Sequence, residues 1–277
     1  MTVEAAGRPS SLAAWRLDGR VALVAGGGGA IGAALAVGLA DAGARVAVAD
    51  LAPERVAEAA DRVTAAMGRV GGADGGACLA VPANLTDPAD AARVVDAVVE
   101  RFGRLDVIVN AIGGGAGKVI FAAEAYPLDA WDWILELNLR STLVATQPAV
   151  RAMIAGGRGG RVVNISSVRA QLGINTGYSA YVAAKGAVSS LTRQWAVEWA
   201  HHGITVNAIA PTFVDTPQVA MLLDDAAFRA GVVSRIPLGR IGRTDDLIGA
   251  VQFFCSDASA FVTGQILTID GGLTATQ

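Results

Sequence analysis

The segment Arg20-Val-Ala-Leu-Val-Ala25, followed by Gly26-Gly-Gly-Gly-Ala-Ile-Gly32, decides the fold of this 277-residue chain. The apolar run predicts a buried strand, and the glycines predict a sharp turn that opens a helix ending near Ala42. A second apolar run, Ala44 to Ala49, ends at Asp50. A strand, a glycine turn, a helix, a second strand and an acidic residue within about 30 residues predict a dinucleotide-binding unit.

Each part of this unit has a physical reason. Glycines let the backbone turn sharply and approach a pyrophosphate, which the free N–H groups and the dipole of the helix N-terminus attract. Asp50, at the carboxyl end of the second strand, is placed to accept hydrogen bonds from both adenosine ribose hydroxyls. A carboxylate at this position repels a 2′-phosphate, so the sequence predicts NAD as the cofactor.

A tyrosine and a lysine one helical turn apart, Tyr181 and Lys185, follow a serine pair at Ser166 and Ser167. Positions i and i+4 share a helix face, and a nearby cation favours the phenolate of a tyrosine, whose ordinary pKa is about 10. The set therefore indicates a group that deprotonates an alcohol, with a serine hydroxyl holding the substrate oxygen. By itself, Tyr-x-x-x-Lys is equally consistent with an amphipathic helix that carries a half-buried tyrosine and a solvated lysine.

Taken together, these residues resemble the classical short-chain dehydrogenase/reductase family, from about Arg20 to Gly272. Two registers of the glycine turn fit the family and stay open at this point. The family pattern Thr-Gly-x-x-x-Gly-x-Gly falls on Ala25, Gly26, Ala30 and Gly32, with alanine replacing the threonine and the middle glycine. A G-x-G-x-x-G pattern falls on Gly27, Gly29 and Gly32.

The resemblance implies four catalytic residues: Asn138, Ser167, Tyr181 and Lys185. Tyr181 is expected to take the alcohol proton, and Lys185 to lower the tyrosine pKa and hold the nicotinamide ribose. Ser167, fourteen residues before Tyr181, matches the family serine better than Ser166 does. Asn138 is expected to position a water that links Lys185 to solvent.

The resemblance also implies the residues that hold the cofactor. Three of the matched segments depart from the family. Asn84-Leu85 replaces an Asp-Val pair, Thr212 replaces a glycine, and Asn110-Ala-Ile-Gly113 keeps only the first and last members of Asn-Asn-Ala-Gly. The expected cofactor-binding residues are Gly26, Gly29, Ile31, Gly32, Asp50, Leu51, Asn84, Leu85, Asn110, Tyr181, Lys185, Pro211, Val214 and Thr216.

The composition agrees with an α/β enzyme. Hydrophobic residues make up 53% of the chain and charged residues 17%, which suits a parallel sheet covered on both faces. A net charge of −3 without a dense basic cluster argues against nucleic-acid binding. Two cysteines are too few for a disulfide framework and lack metal-ligand spacing, so no metal is predicted. The charge-free stretch Val21–Ala40 contains six glycines, which argues against a membrane span.

The alternation of strands and helices predicts a single Rossmann-type, doubly wound parallel sheet of about seven strands, with helices on both faces. The resemblance implies the strand order 3-2-1-4-5-6-7. We expect residues 1–17 to form a flexible arm, without the apolar core of a signal peptide, and residues 18–277 to form one dinucleotide-binding and catalytic domain. Predicted strands are Val21–Ala25, Arg45–Ala49, Ala77–Val81, Val107–Asn110, Arg161–Ile165, Thr205–Ala208 and Gln265–Thr268. Predicted helices are Ile31–Ala42, Pro53–Met67, Pro88–Phe102, Ala130–Ala155, Ser179–His201 and Asp245–Cys255.

These observations predict a cytoplasmic NAD-dependent oxidoreductase that acts on a secondary alcohol or ketone, with a polyol or sugar-derived molecule favoured. A 3-oxoacyl-thioester (ACP or CoA) reductase would share the same motifs and is the enzymatic alternative. A catalytically silent dinucleotide-binding sensor is the alternative from another class. The resemblance of Phe253–Phe261 and Gly264–Gly272 to segments packed between subunits predicts a homotetramer.

Overall fold

A computed structural model describes residues 12–70, 76–175 and 177–276. Seven parallel strands form one sheet in the order β3-β2-β1-β4-β5-β6-β7, which confirms the predicted fold class and strand order. The order reverses between β1 and β4, and ligands of such sheets bind at that point, beyond the carboxyl ends of the strands. The strands are β1 (Val21–Ala25), β2 (Arg45–Asp50), β3 (Leu79–Pro82), β4 (Val107–Asn110), β5 (Gly160–Ile165), β6 (Ile204–Pro211) and β7 (Ile266–Ile269).

Helices cover both faces of the sheet, so that the core forms two apolar layers. Strand β1 shows why its sequence is continuously apolar: Ala22 and Val24 pack into one layer, while Val21 and Leu23 pack into the other. The helices are α1 (Ala30–Asp41), α2 (Pro53–Val70), α3 (Pro88–Phe102), α4 (Leu128–Leu135), α5 (Ser141–Gly156), α6 (Ser179–Glu198), α7 (Pro217–Leu223), α8 (Ala226–Val233) and α9 (Asp245–Cys255).

Local sequence fixes both ends of helix α3. Helix α3 begins with Asp87, whose carboxylate accepts the N–H of Ala89 at 2.7 Å, and Pro88 occupies its first turn. The helix ends at Gly103, whose φ of +76° is readily adopted only by glycine. An alanine in place of Asp87 would cost about 1 kcal/mol of stability.

The predicted continuous helix from Ala130 to Ala155 is wrong in one respect. A π-helical segment, Glu136–Arg140, separates α4 from α5. Such segments are rare and frequent at functional sites, and this one contains the predicted catalytic residue Asn138. Two short helices that the sequence did not predict, α7 and α8, follow β6 and form a lid segment over residues 217–233.

The part of the predicted arm that the structure describes is packed against the domain. Leu17 is fully buried, and its N–H donates to the carbonyl of Ala42 at 2.9 Å. Trp15 contacts Phe253 with 5.4 Å between ring centroids. The folded body therefore includes Leu17, just before the predicted boundary, while residues 1–11 lie outside the described residues.

The charge-free stretch from Val21 to Ala40 forms β1, the glycine turn and most of α1. Within the described ranges, no helix combines the length and the apolarity that crossing a membrane requires.

Candidate active site

The glycine turn after β1 requires glycine at three positions, Gly26, Gly27 and Gly32, and a Cβ on Gly27 would lie 2.8 Å from the Val48 Cβ. Gly26 has φ of +83°, and a Cβ there would lie 2.7 Å from the Ala111 carbonyl carbon. A Cβ on Gly32 would lie 2.1 Å from the Gly26 carbonyl oxygen. Gly29 caps α1 at φ −76°, and a Cβ there would make only ordinary contact, at 3.4 Å. Gly32 belongs to both registers, so the choice rests on the positive φ of Gly26 and on Gly29, where a Cβ is tolerated. These two positions favour the register through Gly26, with the exposed Ala30 as the first residue of α1.

Asp50 lies at the carboxyl end of β2, directly above the glycine turn. Its carboxylate accepts the N–H of Leu51 at 2.7 Å and that of Gly28 at 3.2 Å. Leu51 is exposed and offers an apolar surface beside it. This placement matches the predicted ribose-binding role of Asp50 and the adjoining role of Leu51.

Arg55 is a neighbour of Asp50 that is absent from the predicted site residues. A Cβ on Gly28 would lie 3.1 Å from the Cβ of Arg55, the same distance as from the Cβ of Asp50. Arg55 is exposed and stands in the first turn of α2. The sequence shows a basic residue shortly after Asp50, and that spacing could have indicated Arg55. Its side chain places a positive charge near the position that a 2′-phosphate would take.

The remaining predicted cofactor residues divide into accessible and inaccessible side chains. Asn84 is exposed, and its Oδ1 accepts the N–H of Thr86 at 3.2 Å, whereas Leu85 is buried. Three predicted residues lie along the end of β6 and the start of the lid segment. They are Pro211 at the end of β6, the buried Val214, and Thr216 at the N-terminus of α7.

The side chain of Asn110 does not face the expected site. Its Nδ2 donates to Thr146 Oγ1 and to Asn164 Oδ1, both at 2.8 Å, and only 2% of the residue is exposed. Asn164 in turn donates to Thr192 Oγ1 at 2.9 Å. The amide thus joins β4 to β5, α5 and α6, and only the backbone of Asn110 is left to border a cofactor.

Helix α6 places Tyr181 and Lys185 on one face, as the spacing predicts. The Lys185 Nζ lies 5.8 Å from the centroid of the Tyr181 ring and donates to the Ile165 carbonyl at 2.9 Å. Only 3% of Lys185 is exposed, and burial lowers the pKa of its ammonium group to about 8. The lysine is therefore a core residue at the end of β5, and the solvated alternative does not apply.

The two serines have different surroundings. The Ser166 hydroxyl donates to the Lys185 carbonyl at 3.1 Å and lies 2.7 Å from Ser189 Oγ, so it faces helix α6. Ser167 accepts the N–H of Arg169 at 3.1 Å, and its hydrogen bond to Tyr181 lowers the pKa of that phenol. Ser167 is thus the serine beside the tyrosine hydroxyl.

The electrostatics of Tyr181 differ from the expectation. Burial raises the pKa of its hydroxyl, while the Ser167 hydrogen bond and the charge of Arg169 act in the opposite direction. The sequence predicted that Lys185 lowers the pKa of Tyr181, but the Lys185 ammonium group donates its hydrogen bond to the Ile165 carbonyl. Arg169, which follows the catalytic serine by two residues, is thus an electrostatic neighbour of the tyrosine.

Asn138 is completely buried in the π-helical segment. Its Oδ1 accepts the Gly114 N–H at 2.8 Å, and its Nδ2 donates to the Gly114 carbonyl at 3.0 Å. A Cβ on Gly113 would lie 2.8 Å from Asn138 Oδ1 and 3.0 Å from Lys185 Nζ. Asn138 and Lys185 therefore converge on the backbone of the loop after β4, which is the placement that the predicted relay needs.

These residues fit a bound dinucleotide. The close approach of Gly26 and Gly32 leaves the N-terminus of α1 open to a pyrophosphate, and Asp50 lies at the end of β2 where the adenosine ribose is expected. The Thr212 hydroxyl is buried without a hydrogen-bond partner among the described residues, near the end of β6 where the nicotinamide is expected. The fold and the site together define a dinucleotide-dependent hydride-transfer enzyme.

The described residues provide no cluster of His, Cys, Asp or Glu suited to a metal. Burial raises the pKa of the Cys78 and Cys255 thiols to about 12, so neither is a ready nucleophile.

Comparison with known proteins identifies the family. A family model described as Enoyl-(Acyl carrier protein) reductase matches residues 26–274. A cis-4-hydroxycyclohexanecarboxylate dehydrogenase of Sinomonas cyclohexanicum is 40% identical over 258 residues, which cover 92% of this chain and 97% of that protein. A 3-oxoacyl-[acyl-carrier-protein] reductase of Thermotoga maritima is 36% identical over 258 residues, covering 93% and 99%. The solved gluconate 5-dehydrogenase of Burkholderia cenocepacia, in complex with NADP and tartrate, is 37% identical with a TM-score of 0.85, covering 96% and 100%.

The chain belongs to the classical short-chain dehydrogenase/reductase family. It is an oxidoreductase that acts on a secondary alcohol or the corresponding ketone and uses a nicotinamide dinucleotide.

Proposed function

We propose that this protein is an NAD-dependent dehydrogenase of a small hydroxylated molecule, with Tyr181 as its acid–base residue. The observation that supports this most strongly is the meeting of Tyr181, Ser167, Lys185 and Asn138 at the carboxyl ends of β4 and β5. The bound nicotinamide supplies the hydride acceptor in the oxidising direction. The protein residues supply orientation, proton transfer and electrostatics.

Each catalytic side chain has one task in this proposal. Ser167 holds the substrate oxygen next to the Tyr181 hydroxyl, and Tyr181 as phenolate takes the alcohol proton. Lys185 binds the nicotinamide ribose through its ammonium group, which then carries the positive charge that favours the phenolate. Asn138 holds the loop after β4 through Gly114 and orders a water beside Lys185.

The preference for NAD rests on Asp50. Its carboxylate is already held by two backbone N–H groups above the glycine turn, where it repels a 2′-phosphate. Arg55 is the opposing feature, because its positive charge would attract that phosphate. The relative from Burkholderia cenocepacia was solved with NADP, so the balance between Asp50 and Arg55 is the point to test.

Kinetics with NAD and NADP in wild-type, Asp50→Ala and Arg55→Ala enzymes separate the two contributions. We expect the wild type to favour NAD by more than tenfold, a difference of about 1.4 kcal/mol or more. Asp50→Ala should lose most of that preference, and Arg55→Ala should increase it. Equal catalytic efficiency of the wild type with both cofactors would contradict the proposal.

A polyol, or another small molecule with several hydroxyls, remains the favoured substrate class. Two relatives act, by their names, on gluconate and on a hydroxycyclohexanecarboxylate, both of which are hydroxylated small molecules. The relative from Thermotoga maritima favours the second candidate, a 3-oxoacyl-thioester reductase.

The decisive experiment measures NADH formation with polyols and sugar acids, and NADH or NADPH consumption with a 3-oxoacyl thioester. Turnover of the thioester alone would replace the dehydrogenase by the reductase, and no turnover at all would favour the silent sensor.

We propose that the protein is a cytoplasmic homotetramer. Phe261 is fully exposed, and Leu267 on the edge strand β7 is partly exposed, so the two segments predicted to lie between subunits present apolar side chains. The two free, buried cysteines suit a reducing compartment.

A further inference from the structure

A cavity of about 480 Å³ lies between the loop after Ser167 and the end of the lid segment. Its lining includes Arg169 and Arg235, together with Ser234, Pro237 and Thr276. Two guanidinium groups thus border one cavity, although they come from parts of the chain that are distant in sequence. None of the motif residues predicted from the sequence lines this cavity.

Arg169 is a buried cation without an acidic partner. Only 9% of the residue is exposed, and its Nη1 donates to the Gly173 carbonyl at 3.0 Å. No Asp or Glu of the described residues forms an ion pair with it. An isolated buried charge is costly, and a guanidinium has five N–H donors, so most of its hydrogen-bonding capacity is left for a ligand.

Arg235 adds a second positive charge to the same cavity. It is exposed, its Nε donates to the Gly231 carbonyl at 3.2 Å, and it too has no acidic partner among the described residues. Burial lowers the pKa of Arg169, and the charge of Arg235 lowers it further. Two like charges kept together without a counter-ion are a feature that an anionic ligand would relieve.

Arg169 lies next to the reacting groups. Its backbone N–H donates to the Ser167 hydroxyl at 3.1 Å, and Ser167 is close enough to the Tyr181 hydroxyl to act on its pKa. Burial raises the pKa of Tyr181 and of Tyr178, and the charge of Arg169 opposes that rise. Arg169 therefore links the cavity that it lines to the catalytic serine and tyrosine.

We propose that Arg169 and Arg235 bind the carboxylate of a hydroxy-acid substrate whose alcohol carbon lies at Tyr181. This inference deepens the proposed dehydrogenase function and rests on it. The planar fork of a guanidinium matches the two oxygens of a carboxylate, and such charge-assisted pairs are the strong ones. The buried Arg169 provides the main contact, and the exposed Arg235 closes the cavity from the lid side. A neutral polyol would leave the Arg169 charge unpaired.

The test compares each carboxylate with its neutral amide of nearly the same shape. The probes are gluconate with gluconamide, and cis-4-hydroxycyclohexanecarboxylate with its primary amide. Calorimetry measures binding of each probe to enzyme saturated with NADH, a complex in which an alcohol has no hydride acceptor. We expect at least one carboxylate to bind at least tenfold more tightly than its amide.

Variants assign the effect to the arginines. Arg235→Gln should weaken carboxylate binding about tenfold and Arg169→Gln more strongly, while amide binding stays nearly constant. Arg229→Gln, an exposed arginine of α8 outside the cavity lining, is the matched control and should change neither. Because Arg169 is buried, Arg235→Gln keeps the test valid even where Arg169→Gln fails to fold.

Three results would overturn the inference. The first is equal affinity for carboxylate and amide, or no carboxylate binding at millimolar concentration. The second is an unchanged carboxylate preference in Arg235→Gln enzyme. The third is competition by inorganic phosphate at far lower concentration than by acetate, which would make the ligand a phosphate ester. In each case, NAD reduction with neutral alcohols would leave the proposed function intact, whereas no reduction with any alcohol would contradict that function itself.

Discussion

Replacing Lys185 by methionine should stabilise the cofactor-free protein at pH 7 while abolishing turnover. Burial lowers the pKa of Lys185 from 10.5 to about 8, and each tenfold loss of proton affinity corresponds to about 1.4 kcal/mol. The buried charge therefore costs about 3 kcal/mol at neutral pH. The substitution also removes the charge-assisted hydrogen bond to the Ile165 carbonyl, worth about 2 kcal/mol, so the net gain is about 1 kcal/mol.

The gain should depend on pH in a defined direction. Below the folded-state pKa of about 8, the lysine is protonated in both states and the folded protein bears the whole cost. Between about 8 and 10.5, the folded lysine is neutral while the unfolded lysine is charged, so wild-type stability rises with pH. The advantage of Lys185→Met should therefore nearly vanish by about pH 10.

Urea denaturation at neutral and alkaline pH, at one protein concentration, measures this difference. The chain contains only one other lysine, the exposed Lys118, and Lys118→Met is the matched control, expected within about 0.5 kcal/mol of wild type. Lower stability of Lys185→Met than of wild type at pH 7 would refute the reasoning, because it would mean that the ammonium group stabilises the apo fold.

Three further predictions address the glycine turn, the assembly and the helix cap. Gly26→Ala should abolish cofactor binding or folding, since its φ is +83° and its Cβ would lie 2.7 Å from the Ala111 carbonyl carbon. Gly29→Ala should keep NADH affinity within a few-fold, and equal effects of the two variants in a fluorescence titration would contradict the chosen register. Light scattering should show that Phe261→Asp converts the tetramer into smaller species, whereas Leu128→Asp, at another exposed position, should leave it intact. A monomeric wild-type protein would contradict the proposed tetramer. Asp87→Ala should lower the free energy of unfolding by about 1 kcal/mol with turnover retained. An unchanged free energy of unfolding would show that the Asp87 cap does not stabilise α3.

The sheet and the cofactor turn were predictable because local sequence and tertiary environment agree there. Strands buried on both faces require continuous apolar runs, and β1 shows this with side chains in both layers of the core. The glycine turn was ambiguous only in register, since four consecutive glycines hide which of them are sterically required. The positive φ of Gly26 and the ordinary contact at Gly29 favour one register, which the sequence pattern alone leaves open.

The parts that the sequence missed depend on contacts between distant segments. The π-helical segment is stabilised by the hydrogen bonds of Asn138 to the loop after β4, which periodicity within one helix does not reveal. The inward side chain of Asn110 depends on partners in β5 and α5. Arg169 and Arg235 line one cavity only because the residues after the lid segment lie against the loop after Ser167.

The most direct test of the central claim compares Tyr181→Phe with Tyr178→Phe, a neighbouring tyrosine whose ring centroid lies 6.5 Å away. NADH formation is followed with the best alcohol of the panel, and NADH binding is titrated in parallel. The account predicts a loss of at least a hundredfold in turnover for Tyr181→Phe with cofactor binding preserved, and most of the wild-type turnover for Tyr178→Phe. Near-normal turnover by Tyr181→Phe enzyme would contradict the assignment of Tyr181 as the acid–base residue.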